Sequence, residues 1–306
     1  MKKSPLTRSL FLFIFFLLFT SGCSFGSEGA SDEPPVFSPL QVLVPAADGK
    51  EVIGNAPVIL DVSNKEQGYM VVQTDASSSR VNIQMTGPDG VLYSYFVDPG
   101  EDAVIPFTSG DGSYQILCYE QIGGDKYAAL YSNTLEIALE NPYLPFLYPN
   151  QYVDFSPESE ACILAQSMLP EDATDVEALD AIYTYVTSNI TYDEEKAQTV
   201  EAGYLPDIDE TLHTGTGICF DYAALITAML RARDIPCKLQ IGYTSDIKHA
   251  WIDVYIRSRG WVNQAISFDG ETWTRMDPTF ESNAEDAESM QDYIGDGDNY
   301  TTQFTR

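Results

Sequence analysis

The chain has 306 residues, 44% of them hydrophobic and 20% charged, and its 46 acidic against 16 basic residues give a formal net charge of −30. That length suits about two domains, and the apolar fraction excludes a disordered acidic tail. So much negative charge, with no basic run within it, repels phosphate backbones and excludes nucleic acid as a partner.

Lys2, Lys3 and Arg8 precede an apolar run from Leu10 to Phe19, followed by Thr20-Ser21-Gly22-Cys23. The run is short for a membrane span, and its basic flank and small-residue exit fit an export signal over residues 1–22. Cys23 after Ser21-Gly22 resembles the lipobox of bacterial lipoproteins, with Thr20 where that motif usually has Leu. The resemblance implies a diacylglycerol on the Cys23 thiol and a protein anchored on the extracellular face of the bacterial membrane; plain secretion is the alternative. Residues 23–35 are small and polar and end in Pro34-Pro35, the composition of a flexible stalk.

Residues 36–141 carry period-two stretches at Gly68 to Thr74, Val81 to Met85, Val91 to Val97, Tyr114 to Tyr119 and Thr134 to Leu139. Gly87-Pro88-Asp89-Gly90, Pro99-Gly100, Gly110-Asp111-Gly112 and Gly123-Gly124 separate them, where the chain must reverse. This spacing predicts an antiparallel β-sandwich, a spacer or a binding module. It has no His, and Cys118 falls in a strand pattern that suits a buried thiol.

Pro142, Pro145 and Pro149 break the alternation, so residues 142–155 read as a junction and residues 156–306 as a second domain. Ser156-Pro157 opens a helix that Pro170 stops, and a second follows from Asp175 with Leu179, Ile182, Tyr183 and Val186 on one face. A third begins at Cys219, after Gly215 and Gly217, and runs through Tyr222, Ile226, Met229 and Leu230 to Pro236. The period then switches to two at Cys237 to Tyr243, Lys248 to Ile256, Trp261 to Ala265 and Trp273 to Asp277. Helices followed by an antiparallel sheet make an α+β domain.

A helix N-terminus with a nearby imidazolium lowers a Cys pKa from about 8.5 to roughly 3.5–7.5, and Cys219 has the helix start. The only histidines are His213, in a Gly/Thr loop, and His249, in a strand. A rigid strand suits a general base, and Asp277 at the end of a later strand would fix its tautomer. Cys219, His249 and Asp277 are thus a candidate triad, with core or surface packing the competing explanation for each.

The run Gly217-Ile218-Cys219-Phe220-Asp221-Tyr222-Ala223, then Leu230-Arg231 and Ile235-Pro236, His249-Ala250-Trp251, Trp261 and Asp277-Pro278-Thr279 resembles the core of the transglutaminase-like superfamily over about Ala178 to Phe280. The resemblance implies a papain-like α+β fold, with Cys219 as nucleophile, His249 as base and acid and Asp277 as its orienter. It implies acyl transfer or hydrolysis at an amide of a protein, peptide or cell-wall peptide through a thioester, without a cofactor. The Cys219 N–H is one oxyanion donor; the family's eukaryotic enzymes use an upstream Trp as the other, and this chain has none before Trp251. The Tyr192 hydroxyl is a candidate in its place, with core packing the alternative.

Asp221 and Asp253 lie inside these motifs, as site residues or as a helix cap and a solvent-facing acid. Trp251 and Trp261 are expected to pack the sheet, and Cys162 and Cys237 to be buried thiols or a disulfide. Asp296-Gly297-Asp298-Asn299 does not complete an EF-hand, and two distant histidines form no zinc signature.

Overall fold

A computed structural model describes residues 33–75, 79–124, 126–244, 246–263, 266–268, 273–275 and 300–306. The expected signal, Cys23, Asp277 and the Asp296 loop lie outside the described residues. Among those described, no helix is long and apolar enough to cross a membrane.

The N-terminal half contains β1 (Val52–Asn55), β2 (Val58–Asp61), β3 (Tyr69–Thr74), β4 (Val81–Thr86), β5 (Leu92–Val97), β6 (Asp102–Pro106), β7 (Gly112–Gly123) and β8 (Lys126–Ile137). They form two four-stranded antiparallel sheets in the orders β1-β2-β3-β6 and β5-β4-β7-β8. Alternation decides what each sheet buries: Tyr93, Tyr95 and Val97 of β5 and Tyr114, Ile116 and Cys118 of β7 face inward, joined by Val58, Leu60, Met70, Val72 and Ile105. Each such aliphatic side chain contributes about 1.5–3 kcal/mol by leaving water.

The C-terminal half begins with α1 (Glu160–Met168), α2 (Asp175–Asn189), β9 (Thr191–Tyr192), α3 (Glu194–Thr199), α4 (Ile208–Thr214), β10 (Thr216–Gly217) and α5 (Cys219–Arg231). It continues with β11 (Cys237–Thr244), β12 (Ile247–Ile256), β13 (Gly260–Val262), β14 (Ile266–Phe268), β15 (Trp273–Arg275) and β16 (Tyr300–Thr305). The main sheet is antiparallel in the order β13-β12-β11-β16, β14 pairs with β15, and β9 pairs in parallel with β10. Every residue of α5 from Asp221 to Arg231 is buried, which makes it the central helix, packed by α1, α2 and α4 and laid on β11 and β12. The two halves together are α+β, as the residue pattern predicts.

Several boundaries differ from the periodicity. The helix expected from Ser156 starts at Glu160, where Asp209 of α4 accepts the Ala161 N–H at 3.1 Å and so supplies a cap that Ser159 does not. The α2 start has its own capping box, Glu177 N–H to Thr174 Oγ1 at 3.2 Å and Thr174 N–H to Glu177 Oε2 at 2.8 Å. The strand beginning at Trp261 ends at Val262, and that beginning at Trp273 is described to Arg275.

Tyr152 ties the halves together. Its ring lies 5.7 Å from Tyr95 and 6.2 Å from Phe220, and its hydroxyl donates to Ser94 O at 3.1 Å. Arg306 fills the same seam, its guanidinium 4.3 Å from the Tyr152 ring and Nη1 donating to Tyr95 Oη at 2.9 Å.

Candidate active site

The site is built around the start of α5. Ile218 enters the helix extended (φ −96°, ψ 175°) and has no side-chain oxygen to satisfy the first backbone N–H groups. Asp221, one turn in and fully buried, reaches back so that its Oδ2 accepts the Ile218 N–H at 2.8 Å. The expected helix-capping role of Asp221 is therefore what the geometry shows. The same carboxylate accepts from Lys196 Nζ at 2.7 Å through Oδ2 and from the Tyr204 hydroxyl at 2.5 Å through Oδ1. Lys196 closes the triangle by donating to Tyr204 Oη at 2.8 Å.

Burial opposes the Lys196 charge, but its hydrogen bonds to Asp221 and Tyr204 and the Asp221 charge outweigh that and raise its pKa. Burial, reinforced by Asp221, pushes Tyr204 up to about 12. Gly217 lets the loop close on this network, since a Cβ there would lie 2.8 Å from Asp221 Cβ.

Three short elements bring Lys196 into place. The Thr191 N–H donates to Gly215 O at 2.8 Å and the Asp193 N–H to Gly217 O at 2.9 Å, pairing β9 with β10. Asp193 then caps α3 by accepting the Lys196 N–H at 2.8 Å. Tyr192, the oxyanion candidate, pairs with Gly217, two residues before Cys219, and is half-buried against the helical core.

Cys219 is the first residue of α5 and half-buried, whereas Cys118, Cys162 and Cys237 are buried; all four thiols are free. Burial pushes those three up to about 12. Among the described residues, Cys219 is thus the cysteine that solvent can reach.

His249 is buried on β12, its ring stacked at 6.4 Å on Trp251 and tilted against Tyr300 of β16 at 6.3 Å. Alternation along β12 puts Ala250, Ile252 and Val254 on the face packed against α5, and His249, Trp251 and Asp253 on the other set. Asp253 is buried and accepts from Gln240 Nε2 at 2.6 Å, so it does not face solvent. Trp261 packs with Tyr255, Tyr143 and Phe146, and Trp251 with Tyr300, as sheet-packing residues.

The far end of α5 is fixed by Arg231, whose Nε and Nη2 donate to Cys237 O at 3.1 and 2.8 Å. Cys237 pairs with Val254, while His249 pairs with Gly242 at the opposite end of the same ladder. A helix of 13 residues spans about 20 Å and the strand from Val254 back to His249 about 17 Å. In length, α5 and that stretch of strand match.

The other histidine, His213, is exposed in the last turn of α4. The acids near it serve helix ends: Asp207 accepts the Glu210 N–H at 2.9 Å and Asp209 caps α1. No group of three or more His, Cys, Asp or Glu side chains among the described residues is arranged to hold a metal ion.

Residues 163–278 match the model of the Transglutaminase-like superfamily. The chain carries a transglutaminase-like domain. Positions 219, 249 and 277 all fall inside the transglutaminase-like domain. Similar solved structures include a proposed cysteine protease from Cytophaga hutchinsonii, 14% identical over 78% of this chain and 79% of that one, with a TM-score of 0.38. A proposed protease from Parabacteroides distasonis is 10% identical over 68% and 62%, TM-score 0.32. Red sea bream transglutaminase is 14% identical over 65% of this chain and 47% of its own, TM-score 0.27. No curated protein matches the chain.

The Lys196–Tyr204–Asp221 network escapes the sequence reading. Asp193 and Lys196 have cap spacing, but the partners of Lys196 stand 8 and 25 residues away, and nothing local announces them.

Proposed function

We propose that the protein is an exported, membrane-tethered cysteine enzyme that acts on amide or peptide bonds of a protein, peptide or cell-wall peptide. Cys219 is its nucleophile, His249 its base and acid, Asp277 the orienter of His249, and Cys23 the lipid attachment point. The observation that carries the reading is the position of Cys219: solvent-accessible, at the N-terminus of the central helix of a transglutaminase-like domain. The matching lengths of α5 and of β12 from Val254 to His249 support a thiol and an imidazole level with each other along the sheet; because His249 belongs to the β12 face away from α5, the reading requires the ring to meet Cys219 around the end of the sheet.

In the reaction, the Cys219 thiolate attacks the carbonyl carbon and the Cys219 N–H and Tyr192 hydroxyl stabilise the oxyanion. Collapse breaks the C–N bond, and the amine leaves with a proton from His249. Water, deprotonated by His249, cleaves the thioester to a carboxylate and restores the thiol. Hydrolysis is favoured over crosslinking because water is abundant outside the cell. The second reading is a tethered binding or scaffolding protein.

Iodoacetamide separates the two. An activated Cys219 alkylates well below pH 8 and loses that advantage in His249→Ala; equal, slow labelling of both proteins refutes the enzyme. Peptide libraries incubated with the protein, read by mass spectrometry for cleavage, deamidation and amine incorporation, then assign the reaction. Labelled palmitate entering wild type but not Cys23→Ala tests the anchor.

A further inference from the structure

An anionic side chain lodged in the first turn of a helix competes with a thiolate there for the same N–H groups and the same positive end of the helix dipole. Asp221 is such a side chain, two residues beyond Cys219, fully buried and holding the Ile218 N–H. Left alone, its charge would oppose ionisation of Cys219. It is not alone: Lys196 Nζ lies 2.7 Å from Oδ2, Tyr204 donates to Oδ1, and Lys196 bonds Tyr204 in turn. Lys196 and Tyr204 are both partly exposed, the Lys196 side chain at 31%, and together they shield the buried carboxylate from the solvent side.

The helix start needs just one acceptor for the Ile218 N–H, and a neutral Asn or Gln would supply it. A carboxylate with a dedicated cation does something more, because it fixes α3 and the loop to Tyr204 against α5 while keeping the local charge near zero. In a chain of net charge −30, a lysine aimed at this carboxylate counts for more than one on the surface.

We propose that Lys196, Tyr204 and Asp221 form a charge-balanced clamp that positions the first turn of α5 and sets the pH at which Cys219 becomes reactive. Lys196 and Asp221 are positioning residues, acting through the helix start rather than on substrate. The inference rests on Cys219 as the nucleophile, and it predicts changes of opposite sign from the two members of one ion pair.

The test is the pH profile of Cys219 alkylation in the full chain, followed on the Cys219-bearing peptide by mass spectrometry. Lys196→Met leaves the carboxylate unbalanced and raises the midpoint by about one pH unit, about tenfold slower labelling at fixed pH below it. Asp221→Asn keeps an acceptor for Ile218, leaves the ammonium and lowers the midpoint. The double variant returns close to wild type, and Lys196→Arg leaves the midpoint in place. A purely structural clamp would change melting without this reversal, so equal midpoints in all proteins, or shifts of one sign, overturn the proposal. If Lys196→Met does not fold, Asp221→Asn against wild type decides alone, a midpoint unmoved or raised overturning it. A wild-type profile unaltered by His249→Ala refutes the nucleophile reading instead, whatever the order of the clamp variants.

Discussion

Gly242→Ala probes the end of the sheet where His249 sits. Gly242 pairs with His249 on one side and with Thr302 on the other, where the β11–β16 register shifts. Its φ is not in the left-handed region, so the cost of a side chain is steric. A Cβ would fall 2.0 Å from Thr301 O and 2.8 Å from Trp251 Cη2. The carbonyl belongs to backbone and cannot rotate away, so β16 would have to retreat by more than an ångström. Overpacking of this kind costs about 1–3 kcal/mol, and each β11–β16 hydrogen bond lost adds about 0.5–1.5. The lower entropy of unfolded Ala offsets about 0.4–1 kcal/mol. The expected net loss is about 1–3 kcal/mol, read as a lower urea midpoint at unchanged slope, with altered Trp251 fluorescence because Tyr300 packs on that ring at 5.1 Å. A midpoint equal to or above wild type refutes the close approach of β16 and with it the reason for glycine at this position.

Two further variants test buried charge. Burial pushes the Asp234 carboxyl from 3.8 up to about 7, although it accepts the Phe37 N–H at 3.1 Å; a raised acid pKa means stability lost as pH climbs from about 4 to about 7. Asp234→Asn, which tolerates the local φ of 58°, should flatten that slope and add up to about 4 kcal/mol at pH 8 in chemical denaturation, and an equal gain at pH 3 and 8 would contradict it. Arg231→Met strips donors from the carbonyls of Cys237, Tyr148 and Arg306 and should cost about 3–5 kcal/mol; a loss under about 1 would show those carbonyls satisfied without it.

What the residues announce in advance is what short range decides. The β3, β4 and β5 strands follow from alternation between Gly- and Pro-bearing turns, and α2 and α5 from apolar spacing, with Gly217 ahead of the α5 start. The full length of β7 and β8 does not, because past Cys118 no side chain of the pair is fully buried and the in-out alternation fades, leaving it held by its ladder more than by burial. The β16 strand is invisible for a similar reason: Thr301, Thr302 and Gln303 are exposed, and its place depends on β11, some 60 residues away. Likewise α3 and α4 are too short for periodicity and depend on the caps of Asp193 and Asp207. In the site, the place of Cys219 at a helix start is legible, and the clamp behind it is not, since it joins side chains by tertiary contact alone.

The two faces of the main sheet explain why His249 has one possible setting. On the α5 side, β12 offers Ala250, Ile252, Val254 and Ile256 to an apolar core. On the other, its buried polar groups find partners on neighbouring strands: Asp253 accepts from Gln240 of β11, and Gln240 Oε1 accepts from Thr305 Oγ1 of β16 at 2.8 Å. Slipping β12 by one residue would invert both faces at once, driving Asp253 and His249 into the helix core and turning Ile252 out. The slip would leave a buried carboxylate unpaired and at the same time take Ala250, Ile252, Val254 and Ile256 out of the core, so the two penalties add. The polar chain Thr305–Gln240–Asp253 and the apolar face therefore fix one register together, and His249, on the same face of β12 as Asp253, is placed by it.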